Sequence, residues 1–344
     1  MPSAEPSPSG FPIRRVALGL LGLLVAAVLM LWALRGVHLD QVLRLIRESH
    51  PWPLVAAIVV ATLTFPIRLI RWLLLLRRED GSVLPAMPMW HAVAIGFMAN
   101  NTLPFRAGEL VRLFAVTKLT GVRATAAFSS IAVERIFDGL AVVALLSVAL
   151  LGSDLPAGVS VGGVSVAHLA RVSGAMGLAA LAAAAMVVVF PLAAERVIRR
   201  LLPAGKLTDR LVQVIEGIRQ GLASLRSPVL LLGVIFWSLV LWLVNAWSFH
   251  IAFAAFDIPV GFLGALLLQG ILIFGISVQL TPGFVGQFEA AIVAALALYG
   301  VPNDVASSYA ITFHATTFLP IILLGAWSLA RTPVALSDLR QPRR

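Results

Sequence analysis

The sequence predicts an all-α polytopic membrane protein, and three observations carry that prediction. Of its 344 residues, 60% are hydrophobic and only 12% are charged, where a soluble domain carries roughly 25% charged residues. Several apolar runs reach the ~20 residues that cross a bilayer. Lys and Arg concentrate in some connecting segments and vanish from others, as expected of loops on opposite sides of a membrane. The net charge of +10 follows the same logic. Most arginines flank apolar runs, where they meet anionic lipid headgroups, so the charge does not point to nucleic acid. Cysteine is absent, which excludes disulfides and thiolate metal sites.

In chain order, residues 1–14 form a Pro/Ser-rich cytoplasmic N-terminus expected to be disordered. Arg14 and Arg15 precede an apolar run at 16–34. That run is long for a signal peptide and lacks a small-x-small cleavage site, so it reads as a retained helix. Further full spans fall at 53–76, 124–151, 166–191, 229–255 and 305–330, giving six. Two other apolar stretches, 91–119 and 262–299, are interrupted by turns at Asn100–Gly108 and Thr281–Gly286. Pro104 and Gly108 make the first turn; Pro282, Gly283 and Gly286 make the second. Their pieces are short, which suggests re-entrant half-helices that come and go on one side of the bilayer. The alternative is that these stretches cross fully, giving eight to ten spans.

The arginine-rich segment 192–228 and the basic tail 333–344 are expected to be cytoplasmic, as is the loop with Arg77 and Arg78. Segments 152–165, 256–261 and 300–304 carry no Lys or Arg and belong outside. Re-entrant hairpins reconcile these assignments and put both termini in the cytoplasm. Only segment 35–52, with Arg35, Arg44 and Arg47, disagrees. Within 203–227 apolar residues recur every three or four positions, predicting an amphipathic cytoplasmic segment.

The layout repeats. Pro104, Gly108 and Glu109 parallel Pro282, Gly286 and Glu289, each after a full span and before a span with a polar patch. The halves, about 53–151 and 229–330, run in opposite directions. An inverted-topology repeat of this kind places substrate sites at the interface between its halves.

Glu134, Arg135 and Asp138 fall near the middle of one span, where each isolated charge costs at least ~2.5 kcal/mol. They are either functional or an internal pair that holds helices together. Arg106 opens a half-helix, where unpaired N–H groups and the helix dipole favour an anion. Phosphate suits that position, although Glu109 is a possible partner within the chain. Glu289 is expected to pair across the repeat or to be protonated. Asn100, Asn101, Gln287 and His314 are secondary candidates for a polar cavity. No phosphate loop, His-Glu-x-x-His or Gly-x-Ser-x-Gly motif is present, and neither a metal nor a cofactor is expected.

Three segments together resemble a known family. Asn100–Arg112 resembles its Pro, Arg, Gly-Glu and following Arg signature. Glu134–Asp138 resembles its Glu-Arg-x-x-Asp element. Thr281–Glu289 resembles its Thr-Pro-Gly-Gly-x-Gly-x-x-Glu element, with Phe284 where the family often has a second Gly. The family is the lysylphosphatidylglycerol synthase transmembrane, or flippase-like, family, and the resemblance spans about residues 15–332. It implies lipid handling in a prokaryotic cytoplasmic membrane. Larger members add a soluble aminoacyltransferase domain, which this sequence is not expected to contain, so synthase activity is not expected. The resulting expectation is a transporter of an anionic or phosphate-bearing lipid: a phospholipid, a polyprenyl-linked sugar or a hopanoid-type lipid. Arg106 and Arg135 would bind phosphate, and Glu109, Glu134, Asp138 and Glu289 would line the cavity. The alternatives are a membrane-embedded lipid-modifying enzyme and a scaffold for a biosynthetic partner. Expected partners are membrane lipids, with a second copy or a biosynthetic enzyme as further possibilities.

Overall fold

The computed structural model describes residues 39–78, 80–103, 107–152, 160–161, 164–189, 195–197, 199–200, 205, 208–209 and 228–334. The N-terminal segment 1–14, the span at 16–34, most of the amphipathic segment 203–227, the tail from 335 onward, Pro104 and Arg106 lie outside the described residues.

The fold is all-α and polytopic. A short helix α1 (Leu39–Glu48) precedes α2 (Pro51–Thr62) and α3 (Thr64–Leu75), which form one 25-residue span with a joint at Leu63. At that joint Thr62 and Thr64 turn their hydroxyls back onto the carbonyls of Ile58 and Ala61. Pro66 adds no N–H near the start of α3, where helix donors are unpaired in any case. The chain continues through α4 (Ala86–Thr102), α5 (Gly108–Thr120) and α6 (Ala124–Gly152). A two-residue antiparallel pair, Ser160–Val161 with Val164–Ser165, leads into α7 (Val166–Val189). The second half comprises α8 (Pro228–Phe253), α9 (Phe262–Gly275), α10 (Gln287–Ala297) and α11 (Asn303–Ala330). Four helices, Pro51–Leu75, Ala124–Gly152, Pro228–Phe256 and Asn303–Ala330, are long and apolar enough to cross a membrane. They coincide with four of the predicted spans. Large apolar side chains such as Leu232, Phe236, Leu243 and Trp247 lie exposed along α8, as a lipid-facing helix requires.

The two interrupted stretches form helical hairpins, α4–α5 and α9–α10. Their arms have 17, 13, 14 and 11 residues. At 1.5 Å per residue, each falls short of the ~30 Å hydrocarbon core. The arms pack tightly: any side chain on Gly108 would overlap Gly96 and Asn100, and Gly275 lies against Ala291.

The halves are arranged reciprocally. The first spans run antiparallel, because the His50 N–H donates to the Ala255 carbonyl at 3.0 Å while Leu74 lies against Gly233. The first arm of each hairpin packs on the last span of the other half. Thus α4 meets α11 through Met98 and Gly325, and α9 meets α6 through Leu146 and Gly270. Both ends of hairpin α4–α5 lie at one end of the molecule, where His91 packs on Trp327 and Lys118 donates to the Pro333 carbonyl. Both ends of hairpin α9–α10 lie at the opposite end, where Tyr299 meets Gly264 and Gly152 meets Leu263.

Candidate functional site

The tips of the two hairpins meet in the interior. Gln279, before the second turn, donates from Nε2 to the carbonyls of Asn100 (2.9 Å) and Leu103 (3.2 Å) in the first. Gly283 approaches the Asn101 carbonyl so closely that a Cβ there would lie 3.3 Å from its oxygen. Gly283 and Gly286 have φ of 64° and 81°, values that suit glycine. Phe284 also adopts a positive φ, 59°. The resemblance puts glycine at this position, and here a side chain buried among the core aromatics holds the same backbone shape against its steric preference.

Beside the first tip lies a buried charge cluster. Glu134 on α6 is enclosed completely. Arg112 on α5 grips it with two bonds of 2.9 Å, Arg71 on α3 reaches it at 3.2 Å, and Arg135 at 2.6 Å. Asp138, one turn further along α6, takes Arg71 at 2.5 Å, Arg135 at 3.1 Å and the Trp242 indole N–H at 3.0 Å. Arg71 also donates to the Ser238 hydroxyl, and the Arg112 guanidinium lies 3.7 Å over the ring of Trp72. Carboxylates this well matched offset the desolvation of the arginines that hold them.

Two guanidiniums differ from that pair. The Arg135 side chain is 35% exposed and faces Glu109, equally exposed, at a loose 3.7 Å. Arg68, one turn before Arg71, lies 4.5 Å over Phe97, and its Nη1 is enclosed without a hydrogen-bond partner. Asn100 Oδ1 and Asn101 Nδ2, at the first tip, are also enclosed without partners. Among the described residues the cluster therefore sets Arg68, Arg71, Arg112 and Arg135 against Glu109, Glu134 and Asp138, one positive charge in excess.

The second half builds a smaller counterpart. Glu289, in the first turn of α10, accepts from the Gly286 N–H at 2.7 Å and meets His314 Nδ1 on α11 at 2.5 Å. His314 Nε2 lies 3.0 Å from the Gly283 carbonyl. Among the described residues, Glu289 thus pairs within its own half, because His314 stands directly opposite on α11. In both halves a carboxylate in the first turn of the second hairpin arm meets a basic side chain on the following span: Glu109 with Arg135, Glu289 with His314. Gln287 serves the turn itself, accepting from the Leu280 and Thr281 N–H groups and donating to the Val278 carbonyl.

Of the residues the sequence singles out, Glu109, Glu134, Arg135, Asp138, Glu289 and His314 are gathered by the fold into these two clusters. Arg68 and Arg71 are not singled out, and Arg112 only as a motif residue. The available signal was two arginines three residues apart within the apolar span Pro51–Leu75. Among the described residues, no cluster of three or more His, Asp or Glu could hold a metal ion.

Reciprocal halves, paired hairpins and ionised side chains enclosed between apolar helices define a polytopic α-helical membrane protein with a polar interior. The chain belongs to the lysylphosphatidylglycerol synthase TM region family, whose profile matches residues 19–325. It is similar to a protein of Haloferax volcanii named glycosyltransferase AglD, at 27% identity over 94% of this chain and 56% of that protein. It therefore spans little more than half the length of that relative. It is also similar to a UPF0104 membrane protein of Methanothermobacter thermautotrophicus, at 27% identity over 67% of this chain and 70% of that protein.

Proposed function

We propose that this protein is a lipid transporter of a prokaryotic cytoplasmic membrane that binds an anionic, phosphate-bearing headgroup beside the first hairpin tip. The observation that carries this reading is the division of labour among the arginines. Arg71, ion-paired with Glu134 and Asp138, and Arg112, bound at both terminal nitrogens by Glu134, set the cluster in place. Arg135 is partly exposed, and Arg68 keeps an unpartnered Nη1. A phosphate would supply an acceptor to Arg68 Nη1 and to Arg135 Nε, which also has no hydrogen-bond partner, with a geometry that guanidinium matches well. Arg106, two residues before α5, joins the proposal on sequence grounds. Asn100 and Asn101 offer further polar atoms at the tip.

In this reading the hairpins are re-entrant, α4–α5 from the cytoplasm and α9–α10 from outside. Reciprocal packing of the halves supports an inverted repeat, the plan that lets one half move against the other around a central site. Native mass spectrometry of lipids that co-purify tests the proposal: phosphate-bearing lipids are expected with the wild type and depleted from Arg135→Gln.

A second reading, a lipid-modifying membrane enzyme, is favoured by the name of the Haloferax relative. Glu134 and Asp138 are poor general acids or bases while arginines hold them, so this reading rests on half-exposed Glu109. Turnover of a candidate lipid by the purified protein, abolished in Glu109→Gln, separates it from transport.

A further inference from the structure

We infer that Glu289 and His314 form a proton-binding site, and that the bound proton clasps the second hairpin tip to α11. Both ring nitrogens of His314 face oxygens: Nε2 a backbone carbonyl at 3.0 Å, and Nδ1 the Glu289 carboxyl at 2.5 Å. A carbonyl only accepts, so Nε2 carries a hydrogen. The short Nδ1 contact requires another, either on the ring as imidazolium or on the carboxyl as its acid. The pair therefore holds two protons and no net charge. Removing one leaves a lone pair on Nδ1 facing a carboxylate, in a buried site where the resulting repulsion is poorly screened.

Among the described residues, no neighbouring charge replaces that proton. Among the described residues, His314 is the sole ion-pair partner of Glu289. Helices α2 and α9, packed nearby, carry no ionisable side chain, and α4 contributes only His91, which lies against Trp327. On α8 only His250 is ionisable, and it lies among Trp247, Phe253 and Phe262. Among the described residues, the charges of α1 (Asp40, Arg44, Arg47, Glu48) make no ion pair with either residue, and Asp304 lies in the first turn of α11, ten residues before His314. Phe288 and Phe318 pack on the imidazole ring and complete its enclosure.

The site is placed to act on the tips. His314 Nε2 holds Gly283, whose backbone abuts Asn101 of the first tip, and Glu289 holds the N–H of Gly286 at the end of the same turn. Below the pair's titration range both protons are present and the turn is clasped. As pH rises through that range one proton passes to water, the clasp opens and the tips separate. Under the transport reading, on which its purpose rests, this makes the proton the coupling ion.

The test reads tip separation without any lipid substrate, so its outcome is independent of transport. The chain lacks cysteine, and Thr102 and Val285 are exposed on the two tips. Spin labels at Thr102→Cys and Val285→Cys in full-length protein in nanodiscs report the distance by pulsed electron resonance. The expected result is a longer-distance population that grows with pH along a one-proton curve, tenfold per pH unit in the ratio of states. In Glu289→Gln, whose amide can still donate to Nδ1, the short distance should persist across the same range. A wild-type distance that does not change between about pH 5 and 8, where proteins tend to be most stable, would overturn the inference. So would an unchanged pH response in Glu289→Gln.

Discussion

Arg112 sets its two terminal nitrogens on the two carboxylate oxygens of Glu134, each at 2.9 Å, in a site that solvent does not reach. Arg71 and Arg135 share the same carboxylate, so three guanidiniums depend on it. Glu134→Gln should destabilise the protein by about 3–5 kcal/mol, because it leaves buried charges uncompensated. Loss of monodisperse protein in detergent, or a large fall in melting temperature, is the expected readout. A variant as stable as wild type would show that the cluster does not hold the helices.

Arg71 and Arg135 should behave differently on substitution. Arg71→Gln removes a fully enclosed cation that bridges Glu134, Asp138 and Ser238 and should abolish folding. Arg135→Gln, where the side chain is 35% exposed and Arg71 and Arg112 still hold Glu134, should cost much less in yield and melting temperature than Arg71→Gln. Parallel melting curves make the comparison, and equal losses in both would remove the distinction drawn between structural and headgroup-facing arginines.

At Phe284 the usual order of glycine and alanine should reverse. Alanine normally exceeds glycine in stability by about 0.5–1 kcal/mol, but a positive φ costs a side-chain-bearing residue about 1–2 kcal/mol. Phe284→Gly and Phe284→Ala lose the same aromatic packing, so their difference isolates the backbone. The glycine variant should melt higher; an alanine variant that melts higher would mean the turn is not held at φ 59°.

Orientation is open to a direct chemical test on the cysteine-free background. Ser82 lies between α3 and α4, and Asn303 opens α11 at the opposite end of the molecule. Ser82→Cys should be protected from an impermeant thiol reagent in intact cells, and Asn303→Cys should label. The reverse pattern would invert the assignment of the two faces.

Much of the fold was legible because its signals are local. Proline and glycine marked both hairpin turns, and the long apolar spans are contiguous. Glu134, Arg135 and Asp138 stood out as charges in one apolar run. Their partners did not, because Arg71 reaches Asp138 across 67 positions and Arg112 reaches Glu134 across 22. Those pairings follow from helix packing, which no periodicity encodes. The meeting of the tips through Gln279 and Asn100 was hidden for the same reason, with 179 residues between them. The Glu289–His314 pair lay nearer to hand, since His314 sits in the polar patch that the repeat aligns with Arg135.

In the proposed transport cycle Arg68 and Arg135 receive the lipid phosphate. Translocation of a fluorescent phospholipid in proteoliposomes, measured beside melting temperature, tests it most directly. Losing one charge-assisted bond set costs roughly 1.5–3 kcal/mol, or about tenfold to a hundredfold in affinity. At limiting lipid, Arg68→Gln and Arg135→Gln should each slow transfer by about that factor without a matching loss of stability. Arg135→Lys should restore little, because an ammonium lacks the planar fork. Wild-type transfer by a stable Arg68→Gln, Arg135→Gln double variant would contradict the account.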